Sequence, residues 1–324
     1  MKIIGPDALV FGVDDVAACA QYLTDYGLTP VDVSASGGRF EALDGTCIII
    51  AHKTDPGLPP AMPTATMLRK TIYGVADKEA LEAVAAELGR DRTVRRLADN
   101  SIEVEDDAGF VLGFQVTIRR PLSLPAETVN APGASLQRPA NVLAFDESVA
   151  VVPRTLSHVV YFVPDAAKAE AFYTRLGFVC TDRFVDAGPF LRPAGTTDHH
   201  TLFLIQTPPF MKGCEHFTFH MGGPTEVMRA GTRFIEKGYQ SFWGPGRHRF
   251  GSNWFWYFNS PLGCHVEYDA DMDLHDDQWV AREVPMGADA SQLFLFKSTE
   301  KWAPGGPPPG AKGGAPAAAA EQAH

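Results

Sequence analysis

Short alternating apolar runs, each followed by a 3.6-residue apolar stripe, recur along the 324-residue chain. In "ALVFGVDDVAACAQYLTDYGL" (8–28) the alternation predicts a strand, after which Ala17, Cys19 and Leu23 mark one face of a helix that Gly27 ends. "HVVYFVPDAAKAEAFYTRLGF" (158–178) repeats the pattern at a constant offset of 150, with Ala169, Phe172 and Tyr173 on the helix face and Gly177 closing it. A second strand and helix open at 70–89 and again at 215–238, and the strands that follow end in "GFVLGFQV" and "GCHVEYD". The patterning therefore predicts an α+β fold of two domains, each of two βαβββ modules. The expected boundaries are 1–119 for the first domain, 120–152 for a connector, and 153–275 for the second domain. An ordered extension carrying Trp279 and Trp302 occupies 276–302. Residues 303–324, rich in Pro, Gly and Ala, bury too little to fold and form a disordered tail.

Composition narrows the partners. With 45% apolar residues the chain can build a sizeable core, while a formal charge of -11 argues against nucleic acid or an anionic membrane, both of which need a basic face. No run approaches the roughly 20 apolar residues of a membrane span, and the first residues lack the apolar stretch of a signal peptide. Five scattered cysteines without a C-x-x-C suggest neither a disulfide framework nor a structural zinc site, so a reducing cytoplasm is expected. A small-molecule ligand remains, and a symmetric homo-oligomer is the ordinary expectation for a soluble enzyme.

Candidate chemistry is uneven between the halves. Of ten histidines only His52 falls in the first domain, whereas His158, His199, His200, His216, His220, His248 and His265 fall in the second. Aligning the halves sets His158 on Ala8, His216 near Lys70 and Glu267 on Gly113. Two imidazoles and a carboxylate on successive modules form the facial set used for non-haem Fe(II), which leaves three adjacent positions for a bidentate substrate and O2. His220, two pleats from His216, is the rival ligand; His216 is preferred because it sits at the strand entry that matches His158. On their own, His248 reads as a turn residue in "GPGRH" and Tyr257 as one strand aromatic among several. Phe184, Phe190, Phe242 and Trp243 suit an apolar pocket, although more of them are expected in the core.

The ordered elements "HVVYFVPD", "DHHTLFLIQ", "EHFTFHMGG", "GPGRH" and "WYFNSPLGCHVEY" resemble the second domain of type I extradiol ring-cleavage dioxygenases, within the vicinal oxygen chelate superfamily. That resemblance implies Fe(II), less often Mn(II), held by His158, His216 and Glu267. It implies His200 as the acid–base residue, with His248 and Tyr257 at the substrate hydroxyls. The reaction implied is cleavage of a small aromatic diol by O2 beside its two hydroxyls, giving a muconic semialdehyde-type product. "RFGSN" lacks the acidic residue that some members carry after the turn histidine. Two rivals stand beside this reading: a glyoxalase-like metal-dependent isomerase or lyase, and a non-catalytic protein that sequesters a small molecule. Because neighbours on a strand face opposite ways, His199 is expected to point away as an ordinary polar residue.

Overall fold

The structure is a computed structural model that describes residues 1–296. Trp302 and the segment 303–324 lie outside the described residues.

Each of the four repeats forms the expected module. The first is β1 (Ile3–Val13), α1 (Val16–Tyr26), β2 (Thr29–Ser34), β3 (Gly37–Glu41) and β4 (Cys47–His52). The second is β5 (Leu68–Val75), α2 (Lys78–Leu88), β6 (Arg95–Arg96), β7 (Ile102–Glu105) and β8 (Val111–Val116). The third is β9 (Thr155–Val163), α3 (Ala166–Arg175), β10 (Phe178–Val185), β11 (Gly188–Pro193) and β12 (Leu202–Gln206). The fourth is β13 (Gly213–His220), α4 (Pro224–Glu236), β14 (Ser241–His248), β15 (Trp254–Asn259) and β16 (His265–Ala270). Beyond them the chain adds β17 (Arg282–Pro285), α5 (Ala288–Ser291) and β18 (Gln292–Leu295).

Local chemistry explains the repeat. Asp15, Asp77 and Asp165 each cap a helix by accepting a hydrogen bond from the third residue on. Gly27 ends α1 at φ 115°, in the left-handed region that a side chain disfavours. The buried stripe of α1 is Val16, Cys19, Tyr22, Leu23 and Tyr26. Ala17, expected on that face, is exposed: Val16 begins the helix and fixes the phase one residue earlier.

The modules pair into two mixed sheets, of order β2-β3-β4-β1-β5-β8-β7-β6 and β17-β10-β11-β12-β9-β13-β16-β15-β14-β18. The first strands of paired modules lie side by side, antiparallel, at the centre of each sheet. One contiguous apolar core links both sheets, including Phe11 against Phe217 and Phe110 stacked on Tyr161. Polar ties cross the same boundary: the Tyr26 hydroxyl donates to the Glu267 carbonyl, and that of Tyr268 to the Tyr26 carbonyl. The segment between β8 and β9 carries no helix or strand, and Glu127 within it accepts from Thr225 at the start of α4. Among the described residues no helix is long and apolar enough to cross a membrane.

Candidate metal centre

Three neighbouring strands of the second sheet bring the predicted ligands together. Pairing of β9, β13 and β16 sets His158 opposite Thr218 and Thr218 opposite Glu267, while His216 lies two residues before Thr218 on the same face. All three are buried. His158 Nε2 lies 3.3 Å from His216 Nε2 and 3.3 Å from Glu267 Oε2, and His216 Nε2 lies 3.5 Å from that oxygen. His220 is not in this group; its Nδ1 bonds Asp269 at 2.7 Å.

The donor set fits a divalent cation. Glu215 accepts from His216 Nδ1, which fixes that ring's proton on the outer nitrogen and leaves the Nε2 lone pair inward. His158 Nδ1 likewise meets the Ser157 hydroxyl at 2.8 Å. Lone pairs and a carboxylate converging at such range repel one another unless a cation lies between them. Metal–ligand bonds of about 2.1 Å, spread at roughly 90–109°, separate ligand atoms by about 3.0–3.4 Å, close to the spacing seen.

Electrostatics agree with an ionised carboxylate here. Burial alone would raise Glu267, but the imidazoles facing it, His158 and His248 and then His216, hold it well below the usual carboxylate range. Burial would lower His216, yet Glu215 and then Glu267 outweigh it and raise it. Burial dominates at His158, which is lowered. Burial would raise Glu215 too, but the two imidazoles beside it, His216 and His265, hold it at about 2.

Above the ligands opens a cavity of about 230 Å³. His200, His248 and Tyr257 all line it with His158 and His216. His248 Nδ1 donates to the Ser291 carbonyl at 2.9 Å, so its Nε2 is free to accept from the Tyr257 hydroxyl, 3.2 Å away. Burial, followed by the neighbouring histidines, pushes His200 well below the usual imidazole range, and burial with Glu267 pushes Tyr257 well above the usual phenol range. Phe184, Phe190, Phe242 and Trp243 all face the same space, with Phe190 stacked on Phe203 at 3.9 Å. Arg247 is turned outward onto Asp271 and Trp254.

Two features depart from expectation. The pair His199 and His200 precedes β12 in a bend rather than sitting on the strand, and His199 is no polar bystander: it is completely buried and its Nδ1 meets His200 Nδ1 at 2.9 Å. Sequence reasoning also passed over Glu215, Asn253, Ser291 and Asp182. Glu215 was detectable, as a carboxylate beside a ligand histidine; Asp182 and Ser291 carry no local signal, because only the sheet brings them near.

The comparisons with known proteins agree with this geometry. The family model described as Glyoxalase/Bleomycin resistance protein/Dioxygenase superfamily matches residues 155–268, a span that contains all three ligands. The second domain of the chain thus carries that superfamily's pattern. Metapyrocatechase 2 of Cupriavidus necator is 37% identical over 46% of this chain and 45% of its own length, so that alignment spans under half of the relative. The biphenyl-2,3-diol 1,2-dioxygenase of Paraburkholderia xenovorans is 29% identical over 83% of this chain and 88% of its own. A second biphenyl-2,3-diol 1,2-dioxygenase, of Metapseudomonas furukawaii, is 29% identical over 83% of this chain and 87% of its own. Among solved structures, the Mn(II)-bound glyoxalase of Novosphingobium aromaticivorans superposes with a TM-score of 0.69 at 21% identity, covering 90% of this chain and 91% of that one. At that identity the match speaks for the fold alone.

Proposed function

We propose that the chain is an Fe(II)-dependent extradiol dioxygenase that opens a catechol-type ring with O2. The observation that carries the reading is the buried set His158, His216 and Glu267, whose two histidines line an aromatic cavity with His200, His248 and Tyr257. The reaction breaks the ring bond beside the diol and places both atoms of O2 in the product, a muconic semialdehyde-type acid. Bound at His158, His216 and Glu267, the metal would supply a Lewis-acidic centre for the diol oxygens and a redox path to O2; Mn(II) is the alternative ion.

The chain's own groups have definable tasks. Tyr257 and His248 form a hydrogen-bonded pair beside Glu267, suited to receiving a substrate hydroxyl and its proton. His200, kept neutral by burial, exchanges a proton with the reacting oxygens. Phe190 and Phe203 hold the ring face while Phe184 and Phe250 close the cavity's far side and exclude water. No Lys or Arg lines this cavity among the described residues. A neutral diol with a small apolar substituent therefore suits it better than one bearing a carboxylate, which would be desolvated without a partner. A glyoxalase-like enzyme draws its ligands from four modules, and leaves His200, His248 and Tyr257 without tasks. A sequestering protein needs no ligand set at all. The described domains, a cytoplasmic setting and a homo-oligomer complete the reading.

Anaerobic loading with Fe(II), then air and a panel of diols, tests it. One iron per chain, O2 uptake and a yellow ring-fission product are expected. Failure of every diol to consume O2 would remove the reading. His200→Phe is expected to keep its iron and lose roughly 10²- to 10⁴-fold in kcat.

A further inference from the structure

We propose that His199 and Asp182 are positioning residues which fix the tautomer of His200, so that His200 meets the substrate as a hydrogen-bond acceptor through Nε2. The chemistry rests on the ring-cleavage reading; the hydrogen-bond geometry does not depend on it.

The chain of bonds leaves little choice. Asp182 is fully buried on β10, and its Oδ2 lies 2.8 Å from His199 Nε2. A carboxylate can only accept, so His199 carries a proton on Nε2. Arg282 already compensates the Asp182 charge, so His199 is taken as a neutral imidazole with one N–H, which leaves its Nδ1 as an acceptor. Its neighbour at 2.9 Å is His200 Nδ1, which must therefore be the donor. His200 then has its remaining lone pair on Nε2. That nitrogen has no bond to any described residue, and His200 lines the cavity with its ring 4.2 Å from that of His158.

The other end of the relay is fixed by the C-terminal extension. β17 runs parallel to β10 with Arg282 opposite Asp182. Asp182 Oδ1 accepts from the Arg282 backbone nitrogen at 2.9 Å and from its Nε at 3.0 Å, and Oδ2 accepts from Arg282 Nη2 as well. Such a fork holds the carboxylate in one orientation and compensates its charge inside the protein. Phe190, 5.3 Å from His199 and 5.0 Å from His200 between ring centres, packs against both rings and limits their rotation. The same extension supplies the Ser291 carbonyl that orients His248. Residues after the fourth module thus orient both cavity histidines from behind: the Nε2 lone pair of His248 is turned to the Tyr257 hydroxyl, and that of His200 is left toward the cavity.

Nitrogen-15 spectra of the full-length chain, histidine-labelled and loaded with diamagnetic Zn(II), report which ring nitrogen carries each proton; His200→Phe and His199→Phe assign the signals. The expected result is His199 protonated on Nε2 and His200 on Nδ1. A wild-type His200 protonated on Nε2 would overturn the proposal. In His199→Phe, His200 is expected to distribute between tautomers, while the Fe(II)-loaded variant loses roughly 10- to 100-fold in kcat with KM and iron content unchanged. Unchanged kcat would equally overturn it. If that variant does not fold, Asp182→Asn is read in the same two ways, with the same outcomes. Should the wild type cleave no diol, the ring-cleavage reading fails while the spectra still decide the tautomer.

Discussion

At corresponding registers the two sheets hold different contents. In the first, Ala8 pairs with Ile72 and Ile72 with Gly113; in the second, His158 pairs with Thr218 and Thr218 with Glu267. The position of His216 is taken by Lys70, whose ammonium lies 3.0 Å from Glu103. A side chain at 113 would also press on Ile72, since a Cβ there meets its Cγ1 at 3.2 Å. The first sheet thus carries one fixed cation with its own carboxylate where the second presents three acceptors to a mobile cation. One scaffold supports both because the module places the same residues on the same face, and the chemistry is decided by which side chains occupy them.

The largest break in that contrast is expected from Glu267→Gln. The neutral amide removes the anionic ligand, so iron content should drop from one per chain towards none and O2 uptake should vanish, as read by metal analysis and an oxygen electrode. Glu215→Gln is a milder cut. His216 keeps its place but loses a charged partner at Nδ1, and Fe(II) affinity should weaken roughly 10- to 100-fold in a chelator competition. Unchanged affinity would show that Glu215 only fills space.

On the first sheet, Lys70→Met should cost about 1–3 kcal/mol in chemical denaturation, because Glu103 is left with Arg95 alone, while iron content and turnover stay as in the wild type. Loss of activity in that variant would contradict the division of labour between the sheets. The smallest effect is one of pH. Burial pulls His220 down, but Asp269 beside it, together with Asp198, holds it up at about 10. The folded state therefore binds this proton more tightly than the unfolded one. The stabilisation is full below about pH 6.5 and disappears as pH climbs through about 10. The first sheet has Gly74 and Gln115 at these places, so His220→Gln should flatten the alkaline fall in melting temperature.

Much of this was legible in the sequence. The repeat at an offset of 150, with a second strand-and-helix unit in each half, located four modules because strand alternation and helix periodicity are local consequences of side-chain direction, repeated wherever the module recurs. His158, His216 and Glu267 followed from comparing the halves, whereas Phe184, Phe190, Phe242 and Trp243, expected mostly in the core, all line the cavity. The phase of α1 slipped by one residue because Ala17 and Val16 are both apolar, and only packing tells which one faces inward.

What the chain alone determined, then, was what depends on neighbours in sequence: the modules, the helix ends and the residue types available for a metal. Which His nitrogen carries a proton was decided by partners 17 and 100 residues apart in the chain: Asp182 meets His199 within the folded sheet, and meets Arg282 where β17 joins β10. The bond between His199 and His200 follows from a bend before β12, whereas alternation would have sent the two rings to opposite faces. Hydrogen-bond direction is a property of pairs in space. A linear pattern names the candidates, and only the folded sheet chooses the donor and the acceptor.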